Sequence, residues 1–477
     1  MTNSRRLLSI SLVCLSLFAH SKSIAEKSGP VKLELDEFLE QVSTGNEMAS
    51  AAKVIEAASL ASALEPGLML KPSFFAGASM TSDAKPSPFF PYQRLETSNY
   101  NVGVQNQFSF GLQAKFSFAF ADYNYVGIAP KYFEGRPQLE ASLPLLRNGF
   151  GRETKYSVLA GEKGALAKAA AQEATGRAIM LEAEAAYWRL AITREALRIS
   201  KASVDRAQAM FDWTSRRVRL SLSDRSENLQ ASAQLKARKL DYLIAEDDAR
   251  SARLAFNAAR GRQGDLVTED LTTFNSKFAS TWKTPEKTNS RPDVKASILQ
   301  AESAEAQALA TSERTKANLE VYGLYAFNSP QRGLEADAFN DSWSSNRPSS
   351  TVGVRFNMPL DFESTDKIQE AWSAEARANR SIASRKAFDQ ERDWIDTLSR
   401  YELAKEKLKL YEELETAQKE KLDHERNRQR SGKSTVAQVI LFESDYDQTA
   451  FARIRAMAEL LNLNSQLKLY AAPATKN

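Results

Sequence analysis

Leu143-Pro144-Leu145-Leu146 ends a strand-like segment and opens a helical stretch, which turns at Arg217-Val-Arg-Leu-Ser-Leu-Ser-Asp224 and runs back. The chain then repeats this plan. Phe356-Asn-Met-Pro359-Leu360 leads into a second such stretch, turning at Arg428-Gln-Arg-Ser-Gly432-Lys-Ser-Thr435. Thr193-Arg-Glu-Ala-Leu197 answers Ala404-Lys-Glu-Lys-Leu408 at nearly the same offset as the two turns. Duplication on this scale means one structural unit used twice in one wall, so it constrains architecture and function together.

The helical stretches are long. From about Arg152 to Val218 there is no proline, and Ala, Glu, Lys, Arg and Leu dominate, all favourable in helices. Leu181, Ala185, Trp188, Ile192, Ala196 and Ile199 mark an apolar seam spaced by threes and fours, the period of one helix face. The return helix is expected from about Ser226 to Arg260, with Gly261 as its stop. In the second copy the outgoing helix is expected over Asp366–Arg430 and the return over Val436–Tyr470. Some 65 residues at ~1.5 Å each give a rod of roughly 100 Å. Taken alone, such helices also suit a fibrous coiled coil. Asp224-x-x-Glu227 and Thr435-x-x-Gln438, at the two tips, match a capping box, in which one side chain satisfies a free amide and the other reaches back. Gly432 supplies the turn in the second tip, and Ser221 stands at that place in the first. Most such boxes simply start helices; these two end very long hairpins at equivalent places.

The strand-like segments are aromatic. Between Lys71 and Leu146 lie ten of the 24 phenylalanines and five of the 14 tyrosines. Val102, Val104, Phe108, Phe110, Leu112, Ala114, Phe116, Phe118 and Phe120 occupy even positions, against Gly103, Gln105, Gln107, Ser109, Gly111, Gln113, Lys115 and Ser117 at odd ones. A period of two puts one set on each face of a strand. The run exceeds one membrane strand of roughly 10 residues, so it reads as a hairpin turning near Gly111. Further strands are expected at Ser73–Thr81, Pro137–Leu145, Leu319–Phe327 and through Val352, Val354, Phe356 and Met358. Ser329–Ser350, rich in Ser, Asn, Pro and Gly, reads as an exposed loop. Alternation alone fits a soluble β-sandwich as well as a barrel with a wet lumen.

The N-terminus bears on the compartment. Arg5 and Arg6 precede an apolar run from Leu7 to Ala19, and Ser23-Ile24-Ala25 has small residues where signal peptidase needs them. This reads as a secretory signal peptide over residues 1–25. Cys14 lies inside the run, and Ser11-Leu12-Val13 before it is a poor lipidation box. Cleavage would remove the only cysteine, and with it any disulfide or thiol chemistry. It would also remove Arg5, Arg6 and Lys22, lowering the formal charge from +4 to +1. The basic pI of 8.8 therefore overstates attraction to nucleic acid, and no nucleic-acid partner is expected. After the signal, nothing approaches the ~18 consecutive apolar residues of a membrane helix, a test to which barrel strands are invisible.

Catalysis finds little support, and the chain is not expected to be an enzyme. His424 sits in Lys421-Leu-Asp-His-Glu-Arg426, a solvated helical face, whereas nucleophile–base pairs usually need a histidine in a site. There is no Cys/His metal cluster, and Gly432-Lys433-Ser434 lacks the rest of a phosphate loop. No cofactor is implied.

Together these features resemble the TolC-type outer-membrane efflux proteins over nearly the whole mature chain. Leu33-Glu-Leu-Asp-Glu-Phe-Leu39 is similar to that family's opening helix, and Arg291-Pro-Asp-Val294 to the start of its second half. Leu143-Pro-Leu-Leu-Arg-Asn-Gly-Phe-Gly151 and Met358-Pro-Leu360 are similar to its strand–helix junctions, with Pro144 and Pro359 at the bends. Arg428-x-x-x-Gly432 followed by Val439-Ile-Leu441 resembles its tip motif. No single motif is specific; their order, spacing and duplication are.

The resemblance implies a mainly α chain with a membrane β-barrel portion. Each subunit of a homotrimer would give four strands to a shared barrel of about twelve and two coiled-coil-like helical hairpins to a periplasmic tunnel. So few strands cannot close a barrel alone, and an open edge is not tolerated in lipid. Whether the extra alternation at Val102–Phe120 extends the barrel or lies beside it stays open. The implied organisation is residues 1–25 signal, 26–70 N-terminal periplasmic helix, 71–146 first β segment and 147–262 first hairpin. Then come 263–290 equatorial linker, 291–317 helix opening the second repeat, 318–360 second β segment, 361–472 second hairpin and 473–477 tail. The implied function is a passive exit duct in the outer membrane, for efflux or type I secretion. A periplasmic adaptor protein would open its tip, and an inner-membrane transporter would supply it. The rivals are a periplasmic adaptor, which usually carries one hairpin, and a coiled-coil structural protein of the envelope.

By the same resemblance the tip holds the gate: Ser221, Leu222, Ser223 and Glu227 in the first hairpin, and Gln429, Gly432, Lys433, Ser434, Gln438 and Leu441 in the second. Glu227 matches the family's acidic latch residue. Its usual partners, a tyrosine and an arginine, fall at Gln429 and Ser434, with Arg428, Arg430 and Lys433 close enough in sequence to substitute. Positions that carry aspartate rings in some members read Gln438 and Leu441, which puts block by multivalent cations in doubt. Leu441 reads either as an apolar constriction gating by dewetting or as seam packing.

Overall fold

The computed structural model describes residues 32–84, 94–127, 131–272, 287, 291–332, 335–344 and 346–470. The signal peptide and the C-terminal tail read from the sequence lie outside them.

The chain opens with β1 (Lys32–Leu33), α1 (Leu35–Gly45) and α2 (Glu47–Ser62), then a 3₁₀ turn at Glu65–Leu70. The single N-terminal helix expected over residues 26–70 is thus two. Asn46 breaks it because its side chain accepts from the amides of Met48 and Ala49, which caps a new helix. Four strands follow: β2 (Ser73–Asp83), β3 (Arg94–Gln107), β4 (Gln113–Val126) and β5 (Tyr132–Pro144). The first hairpin is α3 (Arg152–Arg219) and α4 (Arg225–Ala259), and β6 (Asp270–Leu271) lies beyond it. The second copy runs α5 (Pro292–Arg314), β7 (Asn318–Phe327), β8 (Ser329–Arg332), α6 (Glu335–Asp341), β9 (Pro348–Asn357), α7 (Phe362–Arg430) and α8 (Val436–Lys468).

The strands form one antiparallel sheet in the order β2-β3-β4-β5-β7-β9, with β8 beside β5. The hairpin expected at Gly111 is present. Gly111 takes φ 95°, in the left-handed region, between Gln107 and Gln113. That hairpin, whose place the sequence left open, lies inside the sheet, so the path holds six strands where the family resemblance implied four. Its first strand also begins earlier than the alternation, because Arg94–Asn101 is largely polar on both faces. Within the expected loop Ser329–Ser350 lie two regular elements, β8 and α6. β8 pairs with the far end of β5, and α6 folds against the sheet.

Register fixes the faces. Phe74, Val104, Phe116, Leu139 and Tyr325 stand in one row across five strands. The next row is Ser73, Gln105, Lys115, Glu140, Leu324 and Thr351. The polar face lines a concave cavity of about 550 Å³ with Lys115, Glu140, Glu320 and Arg355. Lys115 pairs with Glu140 at 3.6 Å, and Arg355 with Glu320 at 3.7 Å. The convex face is apolar and exposed.

The two outgoing helices have 68 and 69 residues, about 100 Å each. Among the described residues no helix is long and apolar enough to cross a membrane. The main core lies halfway down the hairpins. Phe38, Tyr187, Leu190, Phe256, Tyr401, Leu408, Leu460 and Leu467 are all fully buried there. Phe38 stacks on Phe256 at 4.4 Å, and the Tyr187 hydroxyl donates to the Leu33 carbonyl at 2.7 Å. β1 and β6 pair in parallel beside it, tying the N-terminal segment to the linker. Of the seam expected along α3, Trp188 and Ile199 are buried, and Ile192 and Ala196 pack beside them; Ala185 is exposed, and Ala183, Tyr187 and Leu190 add to the buried surface. The helix packs against several neighbours, so its buried face is wider than the single stripe that spacing suggests.

Candidate functional site

The two hairpin tips repeat at the level of single hydrogen bonds. Ser221 and Gly432 both adopt left-handed backbone, φ 55° and 72°. The amides of Leu222 and Lys433 donate to the carbonyls of Arg217 and Arg428, at 2.8 and 2.9 Å. This six-residue closure is a Schellman cap, which normally favours glycine at the left-handed position. Serine in the first tip carries the Cβ strain that glycine avoids, on the order of 1 kcal/mol. Arg217 and Arg428 also donate through their guanidinium groups to the carbonyls of Leu222 and Lys433, at 2.9 and 3.3 Å.

The tips diverge where side chains take over. Asp224 accepts from the Ser226 amide, and Thr435 from the Gln438 amide. The return half of the first box differs from the expectation: Glu227 accepts from the Ser223 hydroxyl. A short serine just ahead of the helix offers a nearer donor than the capped amide. In the second tip the equivalent Ser434 turns the other way and donates to Glu425, which is buried and also pairs with Arg428 at 3.2 Å.

Within one chain the structure does not bring Glu227 to Arg428, Arg430 or Lys433. Gln429 is buried and reaches the Met210 sulfur of α3 at 3.5 Å. Ser221, Gly432, Lys433 and Gln438 are exposed. Leu222 and Leu441 are 62% and 57% exposed, so Leu441 is not seam packing within its own hairpin. Pro144 ends β5 opposite Glu320, and Pro359 follows β9 just before the Asp361 cap of α7.

A cluster that the sequence reading missed lies about 18 Å above the tips, 12 residues into α8. Asp447 is almost fully buried on α8 and accepts from Ser203 at 2.6 Å and from Arg206, both on α3. Arg238 of α4 lies 3.5 Å away. One carboxylate therefore holds three helices of both copies. Such a group is costly to bury unless charges and donors converge on it, as here. On either side Glu443 binds Arg426 at 2.6 Å, and Arg453 joins Glu415 of α7 to Glu195 of α3. Glu195 is held below the ordinary carboxylate value, first by its hydrogen bond from Arg198 and then, against partial burial, by the charges of Arg198 and Arg453. The signal was legible in part. Val436, Val439, Glu443, Asp447, Ala450, Ile454 and Met457 form a buried row at helical spacing, and two of its members are acids.

The two strand–helix junctions are also unequal. At the first, Asn148, Phe150 and Gly151 all take positive φ, and the Ser109–Gly111 turn of the inserted hairpin sits on them. A Cβ on Gly151 would lie 2.0 Å from the Ser109 carbonyl oxygen. Gln107 donates to the Thr154 hydroxyl at 2.8 Å, fastening that hairpin to the start of α3. Among the described residues no group of His, Cys, Asp and Glu is placed to hold a metal ion.

This arrangement has counterparts among solved structures. The outer-membrane channel OprN superposes with a TM-score of 0.65 at 16% identity, covering 92% of this chain and 90% of its own. The chain has the TolC-type outer-membrane channel fold. The Campylobacter jejuni outer membrane channel CmeC shares this fold at TM-score 0.63 and 13% identity, over 98% of this chain and 93% of that one. The Vibrio cholerae outer membrane protein VceC does so at 0.61 and 16%, over 92% and 96%. No family model matches the chain, and no curated protein matches it. The TolC-type fold is therefore carried here by topology, at sequence identities too low to align tip residues one by one.

Proposed function

We propose that the protein is a passive exit duct in the outer membrane, built as a homotrimer and opened at its periplasmic tip by an adaptor protein that couples it to an inner-membrane transporter. The observation that carries this reading is a pair of unfinished surfaces in one chain. The sheet ends in two edge strands, β2 and β9, with no further partner among the described residues. The helical body ends in two apolar flanks: Leu240, Leu243, Ile244 and Leu254 on α4, and Phe388, Ile395, Leu403, Leu410 and Leu414 on α7 are exposed. Open edges and bare stripes both call for further copies. β2 and β9 run in opposite directions, so the β9 edge of one copy fits the β2 edge of the next. Three copies of a six-strand path give eighteen strands, more than the twelve expected from the sequence and enough for a water-filled lumen. The polar concave face would line that lumen and the apolar face would meet lipid.

In this reading the tips and the Asp447 cluster hold the tunnel closed. Leu441 and Leu222 point away from their own hairpins and would meet across the axis as an apolar constriction. Glu227 and the Arg428 tip would be joined between neighbouring copies. Selectivity would come largely from the transporter. An adaptor or structural rod is less well supported, because neither needs a sheet with one polar and one apolar face.

Cell fractionation tests the proposal. A heat-modifiable trimer in the outer membrane supports it, and a soluble periplasmic monomer would overturn it. Co-purification with an adaptor and pump would extend it to a substrate class.

A further inference from the structure

We propose that Glu335–Trp343, the segment holding α6, is an interfacial anchor that lies on the outside of the barrel wall at the boundary between hydrocarbon and headgroups. This rests on the outer-membrane reading above and adds a lipid-binding element to it. The segment lies between β8 and β9 in the chain, yet it neither caps the lumen nor stands free. Ala338 and Ser342, one helical turn apart and fully buried, sit on Gly135 of β5. A Cβ on Gly135 would come within 2.7 Å of the Ser342 Cβ and 2.8 Å of the Ala338 oxygen, so the seat needs that glycine. Gly135 is in register with Phe120, and Pro137 with Phe118, on the convex apolar face.

Two aromatic side chains then extend that face. Phe339 and Trp343 pack against Phe118, with ring centroids at 5.4 and 6.0 Å, while remaining 53% and 57% exposed. The position is specific in depth. Going outward along the same face, Phe116, Phe118 and Phe120 are followed by the row Met80, Ser98, Asp122 and Phe133, in which polar side chains first enter the apolar face. The segment lies at that change. Tryptophan and phenylalanine on an amphipathic helix favour this depth, since they bury apolar rings without abandoning polar neighbours. The acids are compatible with it: Asp341 is held by Gln331 at 3.0 Å and Ser329 at 3.4 Å on the β8 side, and Glu335 and Asp337 are exposed. A segment buried deeper could not carry three carboxylates.

The test uses the purified full chain and its Trp343→Phe variant in phosphatidylcholine vesicles, plain or brominated near either end of the acyl chains. The difference between the two proteins isolates Trp343 from the other five tryptophans. Stronger quenching of that difference by the shallow bromine than by the deep one, with little quenching by aqueous acrylamide, is the expected result. Quenching by acrylamide alone would place the segment in water and overturn the proposal while leaving the channel reading intact. Failure of the protein to co-float with vesicles would overturn both. Gly135→Val, which leaves no room beneath Ala338, is expected to abolish the bromine quenching in a trimer that still inserts; unchanged quenching in that variant would show that the seat does not hold the segment.

Discussion

Asp447 is the residue on which the two halves of the helical body converge. Removing a buried carboxylate while leaving its arginines in place typically costs about 3 kcal/mol. Asp447→Ala is therefore expected to lower the unfolding midpoint clearly. Lys421→Ala, which breaks the exposed pair with Asp445 at 3.4 Å, should cost under about 0.5 kcal/mol. If the Asp447 cluster holds the tip shut, Asp447→Asn should also raise the single-channel open fraction in planar bilayers. An unchanged open fraction in Asp447→Asn, Glu227→Ala and Leu441→Ser together would remove these residues from the gate. Ser221 and Gly432 make a matched pair: Ser221→Gly should stabilise and Gly432→Ala destabilise, each by about 1 kcal/mol, through the same left-handed position. Glu195 sets a pH dependence. Its carboxylate is held below 4.5 in the fold, so its contribution is complete above that value and lost as pH falls through the lowered one. Glu195→Gln is expected to lower stability near neutral pH and to converge on the parent as pH falls, flattening the acid limb measured by thermal unfolding.

The elements owe their form to different forces. The long helices follow composition and cap chemistry, and both were readable. The ends came close to expectation: the return helices stop at Ala259 and Lys468, and the second outgoing helix starts at Phe362, a few residues early because Asp361 caps it through the Ser364 amide. The inserted hairpin was readable as a hairpin but not as a member of the wall, because alternation gives faces and says nothing of neighbours. Its seat is backbone on backbone at Gly111 and Gly151. Gly151→Ala should therefore disturb barrel assembly far more than the roughly 1–2 kcal/mol of left-handed strain alone, and loss of the heat-modifiable trimer on gels would show it.

For the whole molecule, the insertion of β3 and β4 is the main departure from the expected plan. β2 and β5 run antiparallel, so excision of 94–126 leaves strands that can pair directly. The excised protein is expected to form a trimer with a four-strand path per chain. Electron micrographs viewed down the long axis should show about twelve strands against about eighteen in the parent, with a narrower barrel. Equal diameters would mean that the hairpin stands outside the wall in the assembly. The apolar flanks of α4 and α7 make a separate claim: Leu403→Glu with Leu410→Glu should give monomers by sedimentation, because charges would enter the stripe that faces a neighbouring copy in the proposed trimer.

By itself the sequence determined what depends on local periodicity and backbone chemistry: two copies, two long hairpins, their turn positions, and strands with one polar and one apolar face. These signals are written in residues three, four or two apart, or in a cap and a glycine. Only the tertiary structure decided which strands are neighbours, that six share one path, that β8 and α6 fold back onto the sheet, and that Asp447 meets Ser203, Arg206 and Arg238. Those pairings join residues up to 244 positions apart. No local pattern specifies them, because a contact between distant segments is selected by the packing of everything between them.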